Sequence, residues 1–296
     1  MPDDESNGGG PPGVDPTVWA SMQAEQAAHR QRLEVARARV AAHPFTEAVR
    51  RVERLRTGLH QIFIPNAGEL HELLAASVTD FNLAMELVQN VRRSLAAEQF
   101  DAQLTQRLHN YFAAAYTLGQ HAKRIFDLRK KRHKRAADPL AAPWAEKQSE
   151  LLGSPEVEFA RQLRTYIQHI AGMPITANLS MDQVNTPDAF FKSEIRLDVH
   201  SLRREFEWTG QADAFLAGTD WVELRPIVDT HTARLVALYG WLIQQLIVEA
   251  EPMRPEHDEL VVAANAVLTG SDLEAARAMT DETTKRRTST QEPPLS

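Results

Sequence analysis

At 296 residues and 43% hydrophobic content, the chain can bury a sizeable core, as one large domain or two small ones. Its formal net charge of -7 argues against blanket nucleic-acid affinity and leaves room only for a local basic patch. With no cysteine, disulfides, thiolate zinc sites and a cysteine nucleophile are excluded, and a reducing, cytoplasmic setting is expected.

Residues 1–16 are acidic and rich in Gly and Pro and read as a disordered tail. No basic region leads into an apolar one there, so no signal peptide is expected. An N-terminal helical arm, residues 17–65, follows. Its first helix, about Thr17 to Ala42, is rich in Ala, Arg, Glu and Gln and thin in apolar residues, which suits an outside position or a partner. His43-Pro44 breaks it. A second helix runs from about Thr46 to Ile62, with Pro65-Asn66 as its stop.

Residues 66–174 read as a helical bundle. Leu70, Leu73, Leu74, Val78, Phe81, Met85 and Val88 predict an amphipathic helix over Gly68 to Ser94. Leu104, Leu108, Tyr111, Leu118, Ala122 and Ile125 predict another from Phe100 to about Arg135. A short helix near Trp144 to Leu152 precedes the helix around which the chain is organised, Glu156 to Pro174. Ser154, Pro155 and Glu156 mark its start as cap, first-turn proline and early acid. Phe159, Leu163, Tyr166, Ile167 and Ile170 form its apolar stripe, and Gly172 and Pro174 stop it.

The period then changes from 3.6 to 2. Ile175, Ala177, Leu179 and Met181 alternate with polar residues, as do Phe191, Ser193, Ile195, Leu197 and Val199. The cluster Asn185-Thr186-Pro187-Asp188 between them predicts a β-hairpin over residues 175–200. C-terminal helices fill residues 201–279: one near Leu202 to Phe215, a long one over Trp221 to Ala250, and a short one over Glu259 to Leu268. Leu235 to Val248 is the most apolar stretch, yet Gln244-Gln245 interrupts it and it is too short to span a bilayer, so no membrane partner is expected. Residues 280–296 are polar and aperiodic and read as a second tail. The expected fold class is mainly α, a helical bundle with one inserted β-hairpin.

Two features carry chemistry. Arg164 and His169 place a permanent cation and a titratable imidazole near one helix end. A guanidinium grips phosphate in a forked geometry, and a neutral histidine moves protons near pH 7. Together they suit cleavage of a phosphodiester without metal. Five residues apart on an ideal helix, their side chains diverge by about 140°. They converge only if the helix loosens near Ala171-Gly172 or a second copy completes the site. The same spacing class recurs at Arg37/His43, Arg54/His60 and Arg225/His231, and the helical setting singles out Arg164/His169. The second feature is the cationic cluster Arg129, Lys130, Lys131, Arg132, Lys134 and Arg135, suited to RNA phosphates or to a solvated helix end facing the C-terminal dipole. His60, His71, His109 and His121 show no metal-ligand spacing, and no metal or cofactor is expected. His109-Asn110-Tyr111 and Tyr116 are candidates to line a cleft beside His169 where the helices pack side by side.

The run from Arg164 to His169, with Gly172 and Pro174 after it, resembles the arginine, four residues, histidine motif of HEPN (higher eukaryotes and prokaryotes nucleotide-binding) domains. The resemblance implies an all-helical domain over about Gly68 to Pro174, a homodimer, and RNA as ligand or substrate. It also implies a metal-independent endoribonuclease of a toxin–antitoxin or phage-defence system, with an antitoxin or other protein partner. Carried over, Arg164 would bind phosphate and His169 would act as acid or base. Thr165 stands where active members often carry a more polar residue, and Ala171 stands where some carry a tyrosine modified by a partner. The competing reading is a non-enzymatic helical interaction or scaffold protein, with the long first helix, the hairpin and the tails as docking elements.

Overall fold

A computed structural model of the chain describes residues 13–74, 77–78, 95–133, 138–169, 173–182 and 190–290. The protein is mainly helical with a small antiparallel sheet. It divides into two compact units, residues 51–246, and residues 1–50 together with 247–296.

In the larger unit the end of α2 (Pro44–Arg56) passes into a π-helical stretch, Thr57–Phe63, and then α3 (Ile64–Leu74). Pro65 therefore does not stop the helix as the sequence suggests. The amide that proline lacks falls just past the widened turn, and Asn66 Nδ2 donates to the Ile62 carbonyl at 2.7 Å, so the backbone keeps its partners. Gly58 sits in this stretch because a Cβ there would lie 3.0 Å from Leu118 Cδ2.

The strand β1 (Ser77–Val78) replaces helix within the stretch expected to run from Gly68 to Ser94, since it pairs with β3 (Phe190–Asp198) through Ser77↔Lys192 and Val78↔Phe191. Residues 79–94 of that expected helix lie outside the described residues. The expected hairpin is present: β2 (Ile175–Asp182) pairs antiparallel with β3 from Ile175↔Leu197 to Asp182↔Phe190. Its turn cluster at 185–188 is also outside the described residues. The other edge of β3 is shared by β1 and by β4 (Trp221–Glu223), with Leu197↔Val222 in register. Backbone pairing with β3 thus claims three residues that propensity assigned to the following helix.

Helix α4 (Leu95–Arg132) is 38 residues long. Leu104, Leu108, Tyr111, Leu118, Ala122 and Ile125 are buried at steps of three, four and seven, the stripe expected of a core helix. Beyond it come α5 (Ala141–Leu152) and α6 (Pro155–His169), the latter burying Val157, Phe159, Ala160, Leu163 and Tyr166. The expected helix over Leu202 to Phe215 is two, α7 (Val199–Glu205) and α8 (Gly210–Leu216). Trp208 lies in the break, donates Nε1–H to the Leu202 carbonyl at 3.1 Å and packs on Phe159, Tyr166 and Phe206. Burying that indole outweighs the propensity that would continue the helix. Gln162 of α6 ties the same break: it donates to Thr209 O and Oγ1 and accepts from Thr209 N, each at 3.1 Å. α9 (Leu224–Ala250) completes this unit.

The smaller unit holds α1 (Pro16–Ala42), α10 (Arg254–Thr269) and α11 (Leu273–Thr290). Asp15 caps α1 by accepting from Thr17 N at 2.8 Å. Over 27 residues α1 buries no side chain, although it packs along α10, in keeping with its thin apolar content. α11 runs on through residues 280–290, which the sequence suggests as tail. Ala276 is fully buried, Arg277 pairs with Glu259 at 2.7 Å, and Asn265 Nδ2 donates to Thr280 Oγ1 at 2.9 Å, so packing on α10 holds its first turns.

Candidate nucleic-acid site

α6 starts where the sequence places it, with a different cap. The backbone bond from Glu158 N to Ser154 O closes the first turn at 3.0 Å. The Ser154 hydroxyl is buried with no hydrogen-bond partner, so it does not act as the expected side-chain cap. Glu158 instead pairs with Arg161 at 2.6 Å, and that bond holds its carboxyl below the usual range.

Arg164 and His169 both lie on this helix. α6 is regular from Pro155 through His169, so the loosening that would turn the two side chains together does not occur before His169, and within one chain they diverge by about 140°. His169 is the last residue of the helix and is exposed. Arg164 is half-buried, with its Cζ 3.9 Å from the centroid of the Tyr116 ring on α4. Its Nε is buried without a partner, and among the described residues no carboxylate pairs with the guanidinium. The side chain is therefore held by a cation–π contact and keeps its charge uncompensated by any described acid.

Tyr116 is 48% exposed. Lys123 and Lys130, also exposed, follow it at seven-residue steps. On one helix such residues share a stripe and are spaced about 10 Å apart. One face of α4 thus carries the Arg164-bearing Tyr116, then Lys123, then Lys130.

The basic cluster at the end of α4 is smaller than its sequence. Lys130, Lys131 and Arg132 are exposed. Arg129 is not a surface cation: its side chain is 2% exposed and ion-paired with Asp138 at 2.6 Å. Arg129 Nε also donates to Asp138 Oδ2 at 2.8 Å, and Leu140 N donates to Asp138 Oδ1 at 3.0 Å. The signal was available, since Arg129 stands four residues after Ile125 and so continues the buried stripe of α4. Lys134 and Arg135 lie outside the described residues.

Tyr111 does not line a cleft. It is fully buried, with its hydroxyl 2.6 Å from His231 Nδ1 and 3.0 Å from Thr232 Oγ1. Burial pushes the His231 imidazole down from 6.5 to about 4, so it is neutral at pH 7 and shares a hydrogen bond with the Tyr111 hydroxyl. The Arg225/His231 pattern is thereby a packing feature on the histidine side. Arg225 lies 3.7 Å from Asp229, and Asp229 meets His71 Nδ1 at 2.9 Å, a pairing across 158 residues that no spacing rule reveals.

Among the described residues no group of three or more His, Cys, Asp or Glu is placed to hold a metal ion, and no helix is long and apolar enough to cross a membrane. No family model matches the chain, and neither a curated protein nor a solved structure similar to it was found.

Proposed function

We propose that the chain is an RNA-directed protein of HEPN-like character that binds single-stranded RNA along α4 and cleaves it only where a second copy completes the Arg164/His169 pair. The observation that carries this reading is the stripe of Tyr116, Lys123 and Lys130, with Arg164 stacked on Tyr116 and paired to no described carboxylate. An unpaired guanidinium on an aromatic face is suited to phosphate and to stacked bases. The straight α6 supports the second half, since one chain alone does not aim both groups at one phosphorus. Binding should weaken with salt, and Lys130→Ala should reduce the slope of log affinity against log salt by about 0.7. His169→Ala should abolish cleavage and leave helical circular dichroism and RNA binding intact. A folded chain that binds no single-stranded RNA at low salt would remove the reading. A folded dimer that binds RNA and does not cut it would remove the nuclease half.

A second reading, a helical interaction protein, is favoured by one specific observation. α1 leaves Val18, Met22 and Val35 exposed at 52%, 45% and 49%, as a docking helix does. On that reading deletion of Thr17 to Ala42 changes the oligomeric size or loses a protein partner, and His169→Ala alters nothing beyond stability.

A further inference from the structure

A groove of about 340 Å³ runs between α4, α5 and α9, inside the larger unit. Phe126 and Trp144 form its aromatic wall, stacked with centroids 5.1 Å apart. Gly119 opens its floor: a Cβ at that position would stand 3.7 Å from Tyr239 Oη. The Tyr239 ring is buried, 4% exposed, while its hydroxyl faces the groove and bonds to no described group. Lys123, Asp127 and Gln148 stand at the rim, and none of them is bonded to a described neighbour either.

Four polar side chains with unused hydrogen-bonding capacity around an aromatic-walled groove are a binding arrangement. Asp127 only accepts, so it calls for an N–H donor. Gln148 and Tyr239 both donate and accept. Lys123, with exposed Arg124 beside it, calls for an anion. A planar heterocycle carrying ring and amino N–H groups and a phosphate meets all of these at once. Guanine presents two adjacent N–H donors to a carboxylate, where uracil presents one and adenine only its amino group. The cations of α4 select a nucleic-acid occupant over a peptide of opposite sign, since Lys130 continues the same face two turns beyond Lys123.

We propose that this groove takes a guanine nucleotide of single-stranded RNA, with Asp127 and Gln148 on the base edge, Tyr239 at the floor and Lys123 on the phosphate. The proposal rests on the RNA reading above and adds a base preference to it. The test is tryptophan fluorescence of the full chain titrated with GMP, AMP, UMP and ribose 5-phosphate, with Trp144→Phe identifying the reporting indole. Saturable quenching is expected with GMP, at least tenfold weaker with UMP and absent with ribose 5-phosphate. Gly119→Leu, which fills the groove, and Asp127→Asn, an exposed change that leaves packing alone, should each weaken GMP binding tenfold or more. Gly119→Ala should stay near wild type. Equal response to all four probes, or wild-type GMP binding by both Gly119→Leu and Asp127→Asn, overturns the groove. RNA binding measured on the same proteins separates the two claims. Wild-type RNA affinity in Gly119→Leu sinks the groove and spares the RNA reading, and saturable GMP binding without RNA binding does the reverse.

Discussion

Asp138→Ala is the most searching single change for the energetics of this fold. Arg129 is 2% exposed and Asp138 10% exposed, so the pair sits in a low-dielectric setting at the end of α4. Removing the carboxylate takes from a buried guanidinium that cannot deprotonate the ion pair it makes at 2.6 Å, and also frees the Leu140 amide that Asp138 now receives. Breaking a buried pair from one side costs about 3–5 kcal/mol, a large part of the roughly 5–15 kcal/mol by which domains are stable. At about 2–4 °C per kcal/mol for a domain of this size, the melting temperature should fall by roughly 6–20 °C. The pH dependence has a definite sign. The Arg129 hydrogen bond first, and then the Leu140 amide, hold the Asp138 carboxyl below its usual value. Its contribution is therefore complete above the ordinary carboxylate range and is lost as pH falls through the depressed folded value. Urea denaturation of wild type and Asp138→Asn should differ most near neutrality and converge in acid. A variant less than about 1 kcal/mol below wild type at pH 7, or an Arg129→Ala protein that keeps its stability, would refute the burial argument and return Arg129 to the exposed cations of α4.

Three further perturbations test the packing and the backbone. The His231 imidazole is depressed to about 4 by burial, so the unfolded chain takes a proton below about pH 6.5 that the folded chain refuses. Stability should drop by about 3 kcal/mol between pH 6.5 and pH 4, and in His231→Gln that part of the slope should vanish from denaturant midpoints. Gly270 closes α10 at φ +65°, and Gly270→Ala should cost about 1 kcal/mol. Gly240, inside α9 with open space where a Cβ would be, should gain up to about 1 kcal/mol as alanine. Thermal shifts of the same sign in the two glycine variants would contradict the backbone assignment.

The sequence alone determined the helices that carry the core and the hairpin between them. The 3.6-residue stripe of α4, the proline start of α6 and the two alternating runs of β2 and β3 are properties of near neighbours, which local backbone preference and one-sided burial suffice to specify. The same stripe reaches Arg129, yet charge alone places it among the surface cations, and its burial is decided by the Asp138 carboxylate that meets it at 2.6 Å. The tertiary structure alone decided which distant groups meet. β1 and β4 exist because β3 offers them an edge, within stretches whose longer apolar pattern reads as helix. Arg164 meets Tyr116, Tyr111 meets His231, and His71 meets Asp229, because packing sets how each helix is rotated about its axis against its neighbour. The angle of about 140° between Arg164 and His169 already follows from their five-residue spacing once α6 is regular, whereas the rotation that brings Arg164 to Tyr116 is left free by a one-dimensional pattern and is fixed only by packing.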